Sequence, residues 1–532
     1  MKKTNRKNLS IWIGTTAYIL FLAVCILIYA IDYITNVIQV ESFSQFLYTM
    51  QVGMGGAGNT VVQILQGFAL NYLIWIVCAT ILYGLFLRMA LKQRKYEKQG
   101  LGAYCSRQTV VTLNSTVLIT ALLTTCMLLL QIREGYDALK IDRYLEEQTI
   151  RSTLYEDHYV AADASKISAP AKKKNLIYLY LESMETTFAD HKTGGGFDHN
   201  LIPNLSRLAK ENEDFSAADD PKLNGGKVTN NTSWTVAGMV AQTAGTPLGV
   251  SNSSYNKSFS EDMLFMPHVT SLGDLLKEQG YHNVLMCGSE ASYAGRANYF
   301  RQHGDYEIFD LNAAHASGKL PKDYHEWWGF EDSKLIGFAK EKLLDLAAKE
   351  QPFNFTMLSA DTHFKDGYLC PDCQDEFDEQ YENVIRCSDH RIAEFVEWIM
   401  AQDFYEDTTI ILAGDHLSMD GLINQSVGLD FPRATYFCVI NGPEYKEEKT
   451  RSFTTLDIFP TTLEAMGFDV KGGRLGLGTS LYSKKPTLCE EKGFDWLNTQ
   501  ISHRSVRFEE EILKDDGLET EPKEKPAGLQ AG

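Results

Sequence analysis

Three apolar runs dominate the first quarter of the chain: Ile11–Ala30, Phe68–Leu87 and Val110–Leu130. Each holds about the 20 residues that an α-helix needs to cross a bilayer. The middle run carries only Asn71 and Thr80 as clearly polar positions. One buried core helix explains one such run, but not three in succession before any globular pattern. A cleaved signal peptide explains at most the first, and no small-residue cleavage site follows it. The pattern predicts transmembrane helices at 11–34, 68–88 and 110–131 within a membrane region 1–132.

Beyond Leu130 the pattern changes. Glu134–Tyr159 is charged, with apolar residues at helical spacing, which predicts an amphipathic helix near the membrane surface. Ala161–Lys174 reads as a linker, so 133–174 is a connecting region. From Asn175, short apolar strands alternate with helices. The strands are Leu176–Leu181, Val284–Cys287, Phe353–Leu358, Thr409–Leu412 and Tyr436–Ile440. The helices are Pro203–Glu211, Val269–Gln279, Asp332–Lys349, Phe377–Ala401 and Thr455–Met466. Strands this apolar, separated by helices, predict an α/β domain over 175–490 with a mostly parallel sheet covered on both faces. The remainder, 491–532, is a polar tail, and Glu509–Gly532 has a disordered composition.

Charge orients the chain. Lys2, Lys3, Arg6 and Lys7 precede the first run. Arg88, Lys92, Arg94, Lys95, Lys98 and Arg107 lie between the second and third, against the single acid Glu97. Asp32–Gly67 has no Lys or Arg. The positive-inside rule puts both basic clusters in the cytoplasm and everything after Leu130 outside. The expected location is the cell membrane, multi-pass, with an extracytoplasmic catalytic domain. The net charge of −19 argues against a nucleic-acid partner. Cys25, Cys78 and Cys126 sit in apolar runs, and Cys105 lies in the cytoplasmic loop. Cys370-Pro-Asp-Cys373 and Cys387-Ser-Asp-His390 have zinc-ribbon-like spacing. Outside a membrane, a disulfide from Cys387 to Cys370 or Cys373 is the better reading, and His390 falls inside a helical pattern.

The candidate chemistry lies at strand ends. In open α/β sheets, ligands bind beyond the carboxyl ends of strands. Thr409–Leu412 is followed by Gly414, Asp415 and His416, and Leu176–Leu181 by Glu182. Alone, each stretch reads as a turn with a capping or solvated acid. Together they offer two carboxylates and an imidazole to a divalent cation. Thr235 follows Trp234 and opens the small-residue run Val236–Val240, which predicts a helix. By itself that hydroxyl reads as an N-cap; beside a cation it reads as a nucleophile for phosphorus. Asp361 and His363 end another strand. His363 reads equally as a proton-transfer group and as a structural imidazole bonded to a carbonyl.

The stretches LYLES, PNLSRLAKE, WTVAGM, DTHF, AGDH and TTLDIFPTTLEAMG follow one another as in the alkaline-phosphatase/sulfatase superfamily. More narrowly, the chain resembles the membrane-anchored phosphoglycerol transferases: the lipoteichoic acid synthases and, more closely, the periplasmic-glucan phosphoglycerol transferases. The likeness covers about Asn175–Ser480 and the loop GMGGAGN at Gly53–Asn59. It implies one Mn2+ or Mg2+ ion on Glu182, Thr235, Asp415 and His416, with Thr235 as nucleophile. His363 would bind substrate or move a proton, and Arg296 in YAGRANYF matches an arginine that contacts the phosphoglycerol group. The implied donor is phosphatidylglycerol, and the implied acceptor a cell-envelope glycan or glycerophosphate polymer. Cys287 stands where the synthases have His, Ala294 where they have Trp, and three spans replace their five. No Cys/Ser-x-Pro-x-Arg motif is present, which disfavours formylglycine sulfatase chemistry. A phosphoethanolamine transferase or phosphodiesterase on the same scaffold remains an alternative, as does a non-catalytic polymer-binding protein. The joint presence of Glu182, Thr235, Asp415 and His416 argues against the last.

Overall fold

The computed structural model describes residues 2–37, 43–52, 60–98, 107–249, 264–428, 430–445 and 449–514. The chain divides into two compact units: Met1–Leu47 with Ala57–Glu146, and Tyr48–Gly56 with Glu147–Gly532.

The first unit holds three helices long and apolar enough to cross a membrane, at Ile11–Thr35, Leu65–Lys92 and Leu118–Ala138. The first two are joined by polar contacts from small hydroxyls. Thr15 bonds to the Tyr83 hydroxyl at 2.9 Å and Tyr18 to Thr80 at 2.7 Å, while the Tyr18 and Tyr83 rings stack at 4.6 Å. The helix expected over Glu134–Tyr159 is instead three pieces: the end of Arg107–Ala138, then Ile141–Thr149 and Leu154–His158. Lys140 breaks it with φ 51°, a left-handed residue that an α-helix does not accommodate. The GMGGAGN loop and Cys105 lie outside the described residues.

The second unit is built on a seven-stranded sheet. Its strands in chain order are β1 (Asn175–Leu181), β2 (Gly225–Gly226), β3 (His282–Cys287), β4 (Glu307–Phe309), β5 (Phe353–Leu358), β6 (Thr408–Gly414) and β7 (Thr435–Ile440). Their spatial order is β2-β7-β6-β1-β5-β3-β4. The pairs β6-β1, β1-β5, β5-β3 and β3-β4 are parallel; β7 runs antiparallel to β6, and β2 antiparallel to β7. Side chains alternate between faces along a strand. On β1, Leu176, Tyr178 and Tyr180 enter one apolar core, and Ile177, Leu179 and Leu181 the other. Both faces are therefore buried, which is why β1 reads as an unbroken apolar run from Leu176.

Helix starts follow local signals. Pro203 is the first residue of Pro203–Glu211, where its missing N–H costs nothing. Ser271 and Asp274 form a capping box that begins the helix Leu272–Glu278 at Leu272 rather than Val269. The stretch read as a linker is tied down: Ile167–Ser168 pairs antiparallel with Asp469–Val470. The chain is still helical at Phe508–Ile512, with Ile512 and Leu513 buried, so order extends past the point where composition suggested disorder. Residues 515–532 lie outside the description. Cys387 is bonded to Cys373. Cys370 is free, its sulfur 3.4 Å from that of Cys373 and 2.5 Å from Arg391 Nη2. His390 faces Glu394 on its own helix and takes no part in a zinc-ribbon arrangement.

Candidate active site

Three strand ends meet because β1 lies between β6 and β5. Each then turns sharply. After β1, Ser183 adopts φ 56°, and its N–H donates to Asp415 Oδ1 at 2.8 Å. Its hydroxyl donates to Glu182 Oε1 at 2.8 Å. After β6, Gly414 has no room for a side chain: a Cβ there would stand 2.0 Å from the Met184 carbonyl oxygen. That close approach brings Glu182 and Asp415 side by side. The His416 N–H donates to Asp415 Oδ1 at 2.9 Å. Both Asp415 and His416 are 0% exposed.

The ligand-type atoms of Glu182, Asp415 and His416 lie within 4.8 Å of one another. His416 Nε2 is 3.3 Å from Glu182 Oε1 and 3.4 Å from Asp415 Oδ2. The other ring nitrogen, Nδ1, is 2.7 Å from the Leu417 carbonyl, which requires Nδ1–H and turns Nε2 to the carboxylates. Thr235 is the first residue of helix Thr235–Ala244, with Trp234 as N-cap. The Thr235 hydroxyl does not cap the helix. It lies 3.5 Å from Glu182 Oε2 and 3.4 Å from His416 Nε2. Asp415 Oδ2 is buried and has no hydrogen-bond partner among the described residues. An orphaned buried carboxylate oxygen is costly unless a cation or proton satisfies it. Two carboxylates, one imidazole and one hydroxyl fit a hard or borderline divalent cation.

The electrostatics agree with that fit. Burial alone would raise Glu182, but the imidazoles of His416 and His363 outweigh it and hold the carboxyl at about 2. Burial and the Glu182 charge push Asp415 up to about 7. Burial opposes protonation of His416, yet Asp415 and Glu182 raise it to about 10. A bound cation would take over the role of that proton.

His363 completes the edge. Its Nδ1 lies 2.6 Å from the Phe364 carbonyl, so Nδ1 carries hydrogen and Nε2 keeps its lone pair. Burial lowers its pKa, with the Glu182 charge acting the other way and His416 and Arg296 adding to the depression. The Trp328 ring packs 4.7 Å from the imidazole. Arg296 is buried at the start of helix Arg296–Gln302, and its Nη2 donates to Ser289 Oγ at 2.7 Å and the Glu290 carbonyl at 2.9 Å. Its Nε is buried without a partner among the described residues. Asp361 does not face the cluster as a ligand. It accepts from the Asp332 N–H at 3.1 Å, while Asp332 accepts from the Ala360 and Asp361 N–H groups.

One supporting residue escaped the sequence reading. Gln242 Nε2 donates to the Gly414 and Asp415 carbonyls at 2.9 and 3.3 Å, and Tyr178 O–H donates to Gln242 Oε1 at 2.8 Å. A lone amide in the middle of an otherwise small and apolar helix was the available signal.

The sulfatase family model matches residues 174–468, more than half of the chain. The chain belongs to the sulfatase family. Among curated relatives, phosphoglycerol transferase I of Xanthomonas campestris pv. campestris (strain B100) is 37% identical over 257 residues, 47% of this chain and 34% of the relative. Its namesake from strain ATCC 33913 of the same pathovar is 33% identical over 319 residues, 58% of this chain and 43% of the relative. The chain thus spans less than half the length of these relatives. A solved alkaline phosphatase superfamily protein from Vibrio parahaemolyticus is similar over 59% of this chain and 73% of its own, at 23% identity and a TM-score of 0.44. Among the described residues, Glu182, Asp415 and His416 form one of two groups placed to hold a metal ion; the other, Cys370, Cys373 and Cys387, already contains the Cys373–Cys387 disulfide.

Proposed function

We propose that this protein is a membrane-tethered phosphoglycerol transferase that moves glycerophosphate from phosphatidylglycerol to a cell-envelope glycan or glycerophosphate polymer. The observation that carries the reading is the Thr235 hydroxyl, set beside Glu182 and His416 next to the orphaned Asp415 oxygen. The curated relatives, both named phosphoglycerol transferase I, support the same chemistry. Glu182, Asp415, His416 and Thr235 would hold Mn2+ or Mg2+, which when bound lowers the pKa of a hydroxyl and offsets phosphate charge.

Thr235 Oγ1 attacks the phosphorus of the donor. The Oγ1–P bond forms, the P–O bond to diacylglycerol breaks, and the Thr235 proton ends on the departing oxygen. A glycerophospho-Thr235 ester remains. The N-terminus of helix Thr235–Ala244 would offer the N–H groups of its first turn to the phosphoryl group. Arg296 supplies a guanidinium to the non-bridging oxygens. In the second half, His363 Nε2 takes the proton of the acceptor hydroxyl as it attacks phosphorus, and Thr235 leaves with a proton restored. Diacylglycerol is apolar and stays in the bilayer. A domain tethered by spans such as Ile11–Thr35 meets such a donor at high effective concentration. The basic clusters around the spans support an extracytoplasmic catalytic unit.

The test is incubation of the full-length protein with labelled phosphatidylglycerol and Mn2+, followed by mass spectrometry of the protein and of the glycan fraction. Without acceptor, a glycerophosphate adduct is expected on the peptide containing Trp234–Met239. An adduct on Thr186 or Thr187 would overturn the assignment of the nucleophile. Release of headgroup from phosphatidylethanolamine, with none from phosphatidylglycerol, would overturn the donor.

A further inference from the structure

The catalytic unit includes one short stretch from between the first two spans, Tyr48–Gly56. Tyr48 is 4% exposed and packs among the residues of the site. Its O–H donates to the carbonyl oxygen of Ala294 at 2.5 Å, and its ring lies 5.5 Å from that of Trp234. Both partners flank residues of the proposed mechanism. Trp234 is the N-cap immediately before Thr235. Ala294 stands two positions before Arg296.

The backbone at Ala294 needs holding. Ala294 has φ 58° and Gly295 φ 74°, two left-handed residues in succession that deliver Arg296 into the first position of its helix. The glycine adopts this conformation freely, but an alanine there carries a steric cost of roughly 1–2 kcal/mol. Such a conformation persists only when its surroundings determine it. Tyr48 supplies a bond to the carbonyl of that strained residue. Downstream, Arg296 is fixed by Ser289 and Glu290 through Nη2, while its buried Nε has no partner among the described residues. The nucleophile's cap and the arginine's turn thus share one side chain.

We propose that Tyr48 is a positioning residue for the donor phosphoryl group: it holds the Ala294–Arg296 turn against Trp234–Thr235 so that guanidinium and hydroxyl address the same phosphate. The consequence is that the extracytoplasmic segment between the first two spans supplies part of the site. This rests on the function proposed above. Tyr48 acts through Arg296 and touches no reacting atom.

The test uses the full-length chain in detergent and the near-isosteric Tyr48→Phe, which removes only the hydroxyl. The rate of adduct formation on Thr235 is measured in a single turnover, alone and in an Arg296→Ala background. One neutral hydrogen bond corresponds to at most about a tenfold change, so Tyr48→Phe is expected to slow the step by about fivefold to tenfold with the melting temperature unchanged. In the Arg296→Ala background the same substitution is expected to have no further effect, because the group it positions is gone. An unchanged rate in Tyr48→Phe, or an equal loss with and without Arg296, overturns the proposal. If the wild-type chain forms no adduct at all, the proposed reaction fails by itself. Tyr48 is then judged by calorimetric affinity for glycerol phosphate, which Tyr48→Phe must weaken only while Arg296 is present; otherwise this proposal fails too.

Discussion

Gly238 gives a sharp test of how Thr235, the proposed nucleophile, is placed. It lies one turn into helix Thr235–Ala244, and its Cα faces the backbone of Asp415. A Cβ there would stand 1.9 Å from the Asp415 carbonyl oxygen and 2.8 Å from its carbonyl carbon. Real Cβ contacts are essentially never shorter than 3.0 Å, so Gly238→Ala must open the gap from 1.9 Å by about 1.1 Å. Neither partner is a flexible side chain. The Asp415 carbonyl is held by Gln242, and the Gly238 N–H donates to the Trp234 carbonyl at 2.8 Å. The shift must therefore fall on the helix that carries Thr235 or on the turn that carries Asp415 and His416. Thr235 now lies 3.4–3.5 Å from its two neighbours, so such a movement takes the hydroxyl out of reach. A misplacement of about 1 Å costs roughly 100-fold in rate. Overpacking costs about 1–3 kcal/mol of stability, partly offset by about 1 kcal/mol from the helix propensity of alanine. The expected phenotype is a folded protein melting a few degrees lower, with adduct formation reduced about 100-fold. The assay pairs a thermal melt with the single-turnover measurement and Mn2+ calorimetry. Wild-type adduct formation and Mn2+ affinity in Gly238→Ala would refute the reasoning.

Gly337 is the matched control: it sits exposed within helix Asp332–Ala347, and a Cβ meets nothing within 4 Å. Gly337→Ala is expected to raise stability by about 0.5–1 kcal/mol in a denaturant titration, with turnover unchanged. Asp415→Ala should abolish the Mn2+ signal in calorimetry. It should also remove the stabilisation that excess metal gives the wild type, about 2.7 kcal/mol at 100 times Kd. His363 is depressed chiefly by burial, so it is neutral at pH 7; the acid limb of the pH–rate profile should fall below the usual imidazole value of about 6.5. His363→Gln should erase that limb and slow transfer by about 10²–10⁴-fold. Burial and the neighbouring Asp332 charge raise Asp361 to about 9 from 3.8. Between those values the folded state holds the extra proton, so stability is greatest at the acid end and falls as pH rises. Chemical denaturation across that window should show a shallower fall in Asp361→Asn.

The amino-acid order by itself determined the parts of this protein that rest on local pattern. The three helices long and apolar enough to cross a membrane read directly, the third displaced to Leu118–Ala138, because a bilayer demands about 20 apolar residues in sequence. Five of the seven strands read directly too, because both faces of the sheet are buried and most of their positions are apolar; Gly225–Gly226 and Glu307–Phe309 are too short to show a pattern. The break after each strand exposed Glu182, Asp415, His416 and His363 as candidates, since ligand-type residues stand out where an apolar run stops. The strand-end rule and the family resemblance grouped these ends as one expected site, but the geometry that joins them is tertiary. That follows from β1 lying between β6 and β5, a neighbour relation that no local period encodes. Thr235 shows the same limit: its spacing allowed an N-cap, and only the fold puts its oxygen beside Glu182 and His416. Gln242, Gly238 and Tyr48 act through contacts across 172, 177 and 246 positions of chain respectively, where pattern carries no signal. The expected helix over Glu134–Tyr159 failed for the opposite reason. Its apolar spacing was helical, but a left-handed residue at Lys140 and a second break between Thr149 and Leu154 interrupt it.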